Sequence, residues 1–220
     1  MTKEEFIEKI AISCMKYKGY GILPSLTIAQ AICESNWGKS ELSAKHFNFY
    51  GMKWTSKCGC ASCEYMTTEY VNGNPVRVKQ KFRSYKSYDE GIEGYYKFIT
   101  GYKRYANLIG CKDAEQACNL IQKDGWATSP SYATTLYSYI KKYNLEQYDN
   151  CTVVKPVEEE KEVEKTDSDF RYTVQKGDTL WGISQKYLGQ GVLWRKIYNY
   201  NRLTSTVIRV GQVLNIPRKE

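Results

Sequence analysis

Glu34 is the residue whose neighbours best equip it for chemistry. It closes an apolar stretch, Ile28, Ala29, Ala31, Ile32 and Cys33, immediately before Asn36-Trp37-Gly38. A carboxylic acid at the end of an apolar helix, beside a tryptophan and the negative end of the helix dipole, is expected to hold its proton. Desolvation and the dipole both disfavour the charged form. An acid of that kind is what cleavage of a glycosidic bond requires. The position also suits a partly exposed glutamate in the last turn of an ordinary helix, and spacing alone leaves both readings open. Asp89 and Glu90 make a second acidic pair, but Ser87-Tyr88-Asp89-Glu90 is a capping box, which assigns them to a helix start. Cys58-Gly59-Cys60-Ala61-Ser62-Cys63 places three thiols in six residues. They could be three zinc thiolates, a disulfide or free thiols in a loop. Zinc takes four ligands, no fourth cysteine is near, and the single histidine, His46, is distant in sequence, so no metal site is assigned.

These residues need elements to hold them. Thr2 and Glu5 form a capping box ahead of Phe6, Ile7, Ile10, Ala11 and Cys14 at helical spacing. Pro24 opens a second helix that runs to about Ser35. The runs Tyr65 to Val71 and Val76 to Phe82 flank Asn72-Gly73-Asn74-Pro75, and Asn-Gly between such runs predicts a β-hairpin. Helical pattern returns after Ser87 through Ile92, Tyr95, Tyr96 and Ile99. It recurs from Asp113 to before Gly125, and from about Ser131 to Tyr143. Helices around a small β-lobe make an α+β domain. Residues 152–169, almost all charge and valine, read as a self-repelling acidic linker. Beyond them Phe170 to Val174, Thr179 to Tyr187, Val192 to Asn199 and Val213 to Ile216 read strand, helix, helix, strand. The domains are therefore expected at 1–151 and 170–220.

Composition narrows the class. The 220 residues are 42% hydrophobic and 25% charged, a globular balance that excludes wholesale disorder. The net charge of +8 is uneven: +5 over residues 1–151, −4 over 152–169 and +7 over 170–220. A basic surface implies polyanionic partners such as nucleic acid, an anionic membrane or a cell wall bearing carboxylates and phosphates. No apolar run approaches the roughly 18–20 residues that cross a bilayer, so membrane insertion is not expected. The N-terminus lacks the basic segment, apolar stretch and cleavage site of a secretion signal. The expectation is synthesis in a reducing cytosol, where the eight cysteines do not by themselves define a disulfide framework.

The stretch from Ile22 to Ser40, centred on Gln30-Ala31-Ile32-Cys33-Glu34-Ser35-Asn36-Trp37-Gly38, resembles the active-site helix of glycoside hydrolase family 73, the bacterial cell-wall N-acetylglucosaminidases. Asn48-Phe49-Tyr50-Gly51-Met52-Lys53, Thr68-Glu69-Tyr70-Val71-Asn72-Gly73, Phe82-Arg83-Ser84-Tyr85 and Gly125-Trp126-Ala127-Thr128-Ser129-Pro130-Ser131-Tyr132-Ala133 continue the likeness in order. It covers about residues 5–148. The resemblance implies a lysozyme-like fold with Glu34 as proton donor. It implies Glu69 on the hairpin as the second acid, with Glu64 as local competitor, and Tyr132 facing the substrate. Asn48, Phe49, Tyr50 and Gly51 would line the sugar groove. Water activated by Glu69, or the substrate's own acetamido oxygen, would complete the displacement.

The last 50 residues resemble a LysM module through Tyr172-Thr173-Val174-Gln175-Lys176-Gly177-Asp178-Thr179-Leu180-Trp181, then Asn201, Leu203 and Ile208-Arg209-Val210-Gly211-Gln212-Val213-Leu214-Asn215-Ile216-Pro217. This implies N-acetylglucosamine contacts from Gly177, Asp178, Thr179, Leu180 and the loop around Ile208. Asp178 or Thr179 would equally serve as an N-cap, and Leu180 as core. The combined expectation is a peptidoglycan hydrolase anchored by LysM, needing no cofactor. Its partner would be bacterial peptidoglycan rather than nucleic acid, for which no motif is present. The missing secretion signal favours a phage endolysin, made in the host cytoplasm and acting at the wall after release. A bacterial autolysin, a muramidase of the same fold and an inactive glycan-binding protein are the alternatives.

Overall fold

The computed structural model of the chain describes residues 1–71, 74–149, 170–175, 178–204 and 208–217, apart from the side chains of residues 69–71 and 192. The expected linker, the turn residues Asn72 and Gly73, Gly177 and the Glu69 side chain lie outside the described residues. The chain divides into two compact units, Met1–Ile140 and Lys141–Glu220.

In the first unit, helices α1 (Lys3–Lys16), α2 (Pro24–Ser35) and α3 (Glu41–His46) precede strands β1 (Ala61–Val71) and β2 (Asn74–Ser84). Helices α4 (Tyr88–Gly101) and α5 (Ala114–Lys123) follow, and α6 (Tyr132–Lys142) starts here. The Thr2 capping box forms as the sequence predicts, with Glu5 reaching back to the Thr2 N–H at 2.8 Å. Helix α2 is buried continuously from Pro24 to Ile32, so it is the central rod on which the others pack. Its run of alanine, threonine and serine between leucine and isoleucine lets neighbours approach on all sides. Tyr95 and Tyr96 of α4 are fully buried, and Tyr95 stacks on Tyr50 with centroids 4.0 Å apart. At about 150–250 Å² per ring and about 25 cal/mol/Å², each ring contributes roughly 4–6 kcal/mol before entropy.

Asp89 is structural, as its place in a capping box indicates. Its Oδ1 accepts from Ser13 Oγ at 2.6 Å and its Oδ2 pairs with Lys16, tying α4 to α1. Glu90 accepts from the Lys86 N–H at 2.9 Å, and its own N–H is capped by Ser87.

The hairpin pairs antiparallel from Ala61↔Ser84 to Val71↔Asn74. Both strands are longer than the sequence pattern shows, because Ala61, Ser62 and Cys63 carry little β signal and are recruited by their partners on β2. The foot of the hairpin is anchored. Lys53 bridges to Phe82, the Arg83 N–H reaches Met52 O at 3.0 Å, and the Trp54 N–H reaches Lys81 O at 3.0 Å. His46 ties α3 to this foot through Ser84 Oγ and Tyr65 Oη, at 2.9 and 3.1 Å.

The second unit contains β3 (Phe170–Thr173), α7 (Leu180–Tyr187), α8 (Trp194–Tyr200) and β4 (Val213–Ile216), with β3 antiparallel to β4. Leu180, Ile183, Trp194, Ile197, Leu214 and Ile216 form its core. Asn201 joins the end of α8 to β4. Its amide donates to Ile197 O and Asn215 O, and its carbonyl accepts the Asn215 N–H at 2.7 Å.

Candidate active site

Glu34 lies in the last turn of α2, and the chain leaves that turn by an unusual route. Asn36, Trp37 and Gly38 all have positive φ, at 49°, 63° and 71°. A Cβ on Gly38 would sit 2.7 Å from the Phe6 ring, so glycine is required there twice over. The Trp37 ring packs edge-on against Phe6 and Tyr139.

The tryptophan that touches Glu34 is Trp126. Its Nε1–H donates to Glu34 Oε1 at 3.0 Å, and the Tyr132 hydroxyl donates to the same oxygen at 2.6 Å. Among the described residues no donor reaches Oε2. The desolvation expected at Glu34 is not found, since the residue is exposed. Instead, one carboxylate oxygen is fixed by two donors on a residue that is open to solvent.

A buried relay stands behind this pair. Tyr132 Oη accepts from Gln30 Nε2 at 3.1 Å, and Gln30 Oε1 accepts from the Tyr95 hydroxyl. Gln30 is fully buried. It precedes Glu34 by four residues, so both lie on one face of α2. Each member donates toward the carboxylate: Tyr95 to Gln30, Gln30 to Tyr132, Tyr132 to Glu34. Aligned bonds of this kind polarise one another. Burial, and then the Glu34 charge, push the Tyr132 hydroxyl far above the ordinary phenol range, so it stays a donor throughout the working pH range. Gln30 and Trp126 were not singled out from the sequence. A glutamine one turn before an acid on an apolar helix was the available signal for Gln30. For Trp126 the signal is its place in the Gly125-to-Ala133 stretch that carries the family resemblance.

Two further contacts position the donors. Gly125, at φ 79°, ends α5 and lets Trp126 N–H return to Ile121 O at 3.2 Å. Gln122 of α5 accepts the Ala133 N–H at 2.6 Å and donates to Pro130 O at 3.3 Å. It therefore fixes the start of α6, and with it Tyr132. The Trp126 ring packs among Tyr95, Phe98 and Tyr105 at 5.8–6.1 Å.

The remaining predicted residues separate into groups. Asn48, Phe49 and Tyr50, expected to line the sugar groove, are buried, and their contacts are to the protein itself. Asn48 donates to Met52 O and Arg83 O, both at 2.9 Å, and accepts the Met52 N–H. Phe49 packs on Phe6 and Tyr88, and Tyr50 reaches Thr27 O at 3.3 Å. Together they join the hairpin foot to the helices. Gly51 alone of the four is exposed, at φ 62°. Glu69 occupies β1 opposite Val76. Glu64 is engaged by Lys79 at 2.5 Å and Lys81 at 3.9 Å, and the Lys79 hydrogen bond holds its carboxyl below the ordinary value.

In the second unit Asp178 accepts Tyr172 Oη at 2.6 Å and the Gln175 N–H at 2.7 Å, and Thr179 caps α7 through the Gly182 N–H at 2.9 Å. The Asp178 bond, helped by desolvation, pushes the Tyr172 hydroxyl up to about 12. Leu180 is fully buried. These three residues build the turn, and Ile208 is half-buried.

Comparison with known proteins identifies the families of both parts of the chain. Residues 11–145 match the glucosaminidase family, described as mannosyl-glycoprotein endo-β-N-acetylglucosaminidase, and residues 172–217 match the LysM domain. A Lactococcus lactis protein named "Probable N-acetylmuramidase" is 36% identical over 97% of this chain and 51% of its own length. The exo-glucosaminidase LytG of Bacillus subtilis is 36% identical over 60% of this chain and 48% of its own. The chain thus spans about half the length of these relatives. The catalytic domain of the autolysin Auto from Listeria monocytogenes superposes with a TM-score of 0.60 at 33% identity, covering 67% of this chain and 87% of that one. The truncated glycoside hydrolase domain of Salmonella typhimurium FlgJ gives 0.55 at 33%, covering 65% and 98%.

Proposed function

From a chain that belongs to the glucosaminidase family and carries a LysM domain, we propose a peptidoglycan hydrolase that cleaves the β-1,4 glycan bond after N-acetylglucosamine, with Glu34 as general acid. The observation that carries this reading is the pair of donors on Glu34 Oε1. They orient the carboxyl so that a proton on Oε2 faces the cleft, where the leaving sugar oxygen would sit. As the proton departs, charge develops on a carboxylate already facing fixed dipoles, which stabilises the transition state more than the ground state.

On the opposite side of the sugar, Glu69 is the proposed second carboxylate. The engagement of Glu64 by two lysines supports that choice over its neighbour. The acetamido oxygen of the substrate is the competing nucleophile. The LysM unit would hold the enzyme on its substrate, so that a weak glycan site and a weak catalytic site reinforce each other through local concentration. The net charge of +8 suits an anionic wall. The site of action is therefore the bacterial cell wall.

The bond is identified by digesting purified peptidoglycan, reducing the new ends with borohydride and weighing the fragments. Ends at reduced N-acetylglucosamine are expected. Ends at reduced N-acetylmuramic acid would make the enzyme a muramidase, as the name of the Lactococcus relative would have it.

A further inference from the structure

Three cysteines enter β1 together, and the structure separates them. Gly59, at φ 66°, turns the backbone so that Cys58 and Cys60 fall on the same side. Their sulfurs lie 2.7 Å apart. Cys63 is a strand residue opposite Phe82, its thiol directed at Phe82 O at 3.7 Å. Among the described residues no group of three or more His, Cys, Asp or Glu is arranged to hold a metal ion.

Cys58 and Cys60 also line a cavity of about 440 Å³ between the hairpin foot and α4, whose wall includes Arg83 and Glu93. Both thiols are partly exposed. A small reagent therefore has room to approach the pair. Burial works to raise the Cys58 thiol, but the hydrogen bonds from Cys60 and the backbone outweigh it and leave Cys58 below the ordinary value. Burial and the same partner push Cys60 up to about 11. The two thiols thus differ in role, Cys58 as the attacking sulfur and Cys60 as the resolving one.

We propose that Cys58 and Cys60 form a dithiol–disulfide couple at the foot of the hairpin, a modification site for small-molecule disulfides, with Cys63 left as a free thiol. The Cys58 thiolate attacks one sulfur of the external disulfide, forming a mixed disulfide and expelling one thiolate, which takes up the proton Cys58 lost. The Cys60 thiolate then attacks Cys58 Sγ, closing the internal bond and expelling the second thiolate, which takes up the Cys60 proton. Two protein thiols are oxidised and one external disulfide is reduced to two thiols. Closure would staple the loop whose Cys60 carbonyl accepts Trp54 Nε1–H at 2.9 Å.

The test uses the full chain, first reduced, then treated with oxidised glutathione, quenched with N-ethylmaleimide and mapped by peptide mass analysis. The peptide beginning at Cys58 should be two hydrogens lighter and carry one maleimide, on Cys63. The Cys60→Ser variant should stop at a glutathione adduct on Cys58, and Cys63→Ser should close as fast as wild type. A bridge that includes Cys63, a glutathione adduct that persists on Cys58 in wild type, or maleimide on all three cysteines when Cys111, another partly exposed thiol, has taken up glutathione would each overturn the proposal.

Discussion

Replacing Tyr132 by phenylalanine removes one oxygen and breaks two bonds, the 2.6 Å donation to Glu34 Oε1 and the 3.1 Å acceptance from Gln30. The first loss acts on catalysis. A hydrogen bond to a charged group contributes about 1.5–3 kcal/mol, and each 1.36 kcal/mol is tenfold in rate. The expected fall in kcat is therefore roughly 10–150-fold, toward the lower end because Trp126 still holds the same oxygen. KM should change little, since the bond strengthens as charge develops on Glu34 rather than when substrate binds. The second loss acts on stability. The buried Gln30 amide keeps a hydrogen with no acceptor, at a cost of about 1–3 kcal/mol, or roughly 2–4 °C of Tm per kcal/mol for a chain of this size. Adding Gln30→Met should recover neither Tm nor kcat, because it leaves the buried Tyr95 hydroxyl without the Gln30 oxygen it donates to. The assay is release of reducing ends from purified peptidoglycan over a range of substrate, with thermal unfolding of the same preparations. A kcat within twofold of wild type for folded Tyr132→Phe, or an effect confined to KM, would refute the reasoning.

Two other perturbations have signs that the structure determines. Glycine to alanine inside a helix ordinarily stabilises by about 1 kcal/mol, but Gly91→Ala should destabilise, because the new Cβ would lie 2.1 Å from the Phe47 carbonyl oxygen; a raised urea midpoint would show that contact to be wrong. Partial burial works to raise the Asp89 carboxyl, yet hydrogen bonds from Lys16 and Ser13 outweigh it and hold it below its ordinary value. The stabilisation from that clamp is therefore fully present above the unfolded value of about 3.9 and is lost as pH falls through the native one. Both partners of the Lys16–Asp89 pair are more than a third exposed, which limits the contribution to about 0.5–1 kcal/mol. Asp89→Asn should lower Tm at pH 7, and its deficit should shrink as pH is lowered below about 3.9; a deficit unchanged by acid would contradict it.

Local order was legible in the sequence, and long-range encounter was not. The Thr2 capping box, Pro24 at the start of α2, the pairing of β1 with β2 as a hairpin and the strand–helix–helix–strand order of the second unit all follow from short-range rules and recur in the structure. Glu34 stood out because its own helix marks it. Which aromatic residues would reach it depends on how α5 and α6 pack, and no periodicity reports that. The nearby Trp37 was the obvious partner, yet it packs on Phe6, while Trp126 arrives from 92 positions away. Tyr132 came only through family resemblance. Gln30 was hidden by its surroundings, since a buried amide in an apolar helix shows its purpose only when both ends find partners. Asn48, Phe49, Tyr50, Asp178 and Thr179 have folding roles that their motifs do not announce, as side chains that pin turns and fill cores. A motif residue and a ligand-contacting residue are different things, and only burial and hydrogen bonding separate them.

The account rests on Glu34 as the acid, and Glu34→Gln tests it most directly. The substitution keeps the shape and an oxygen for Trp126 and Tyr132 while removing the proton that cleavage needs. Wild type and variant are compared on purified peptidoglycan for new reducing ends, and in parallel for sedimentation with the wall. The predicted result is loss of turnover by at least ~100-fold, the scale of general-acid catalysis, with wall binding and Tm retained. Turnover by the folded variant at the wild-type rate would contradict the assignment of Glu34 and the mechanism built on it.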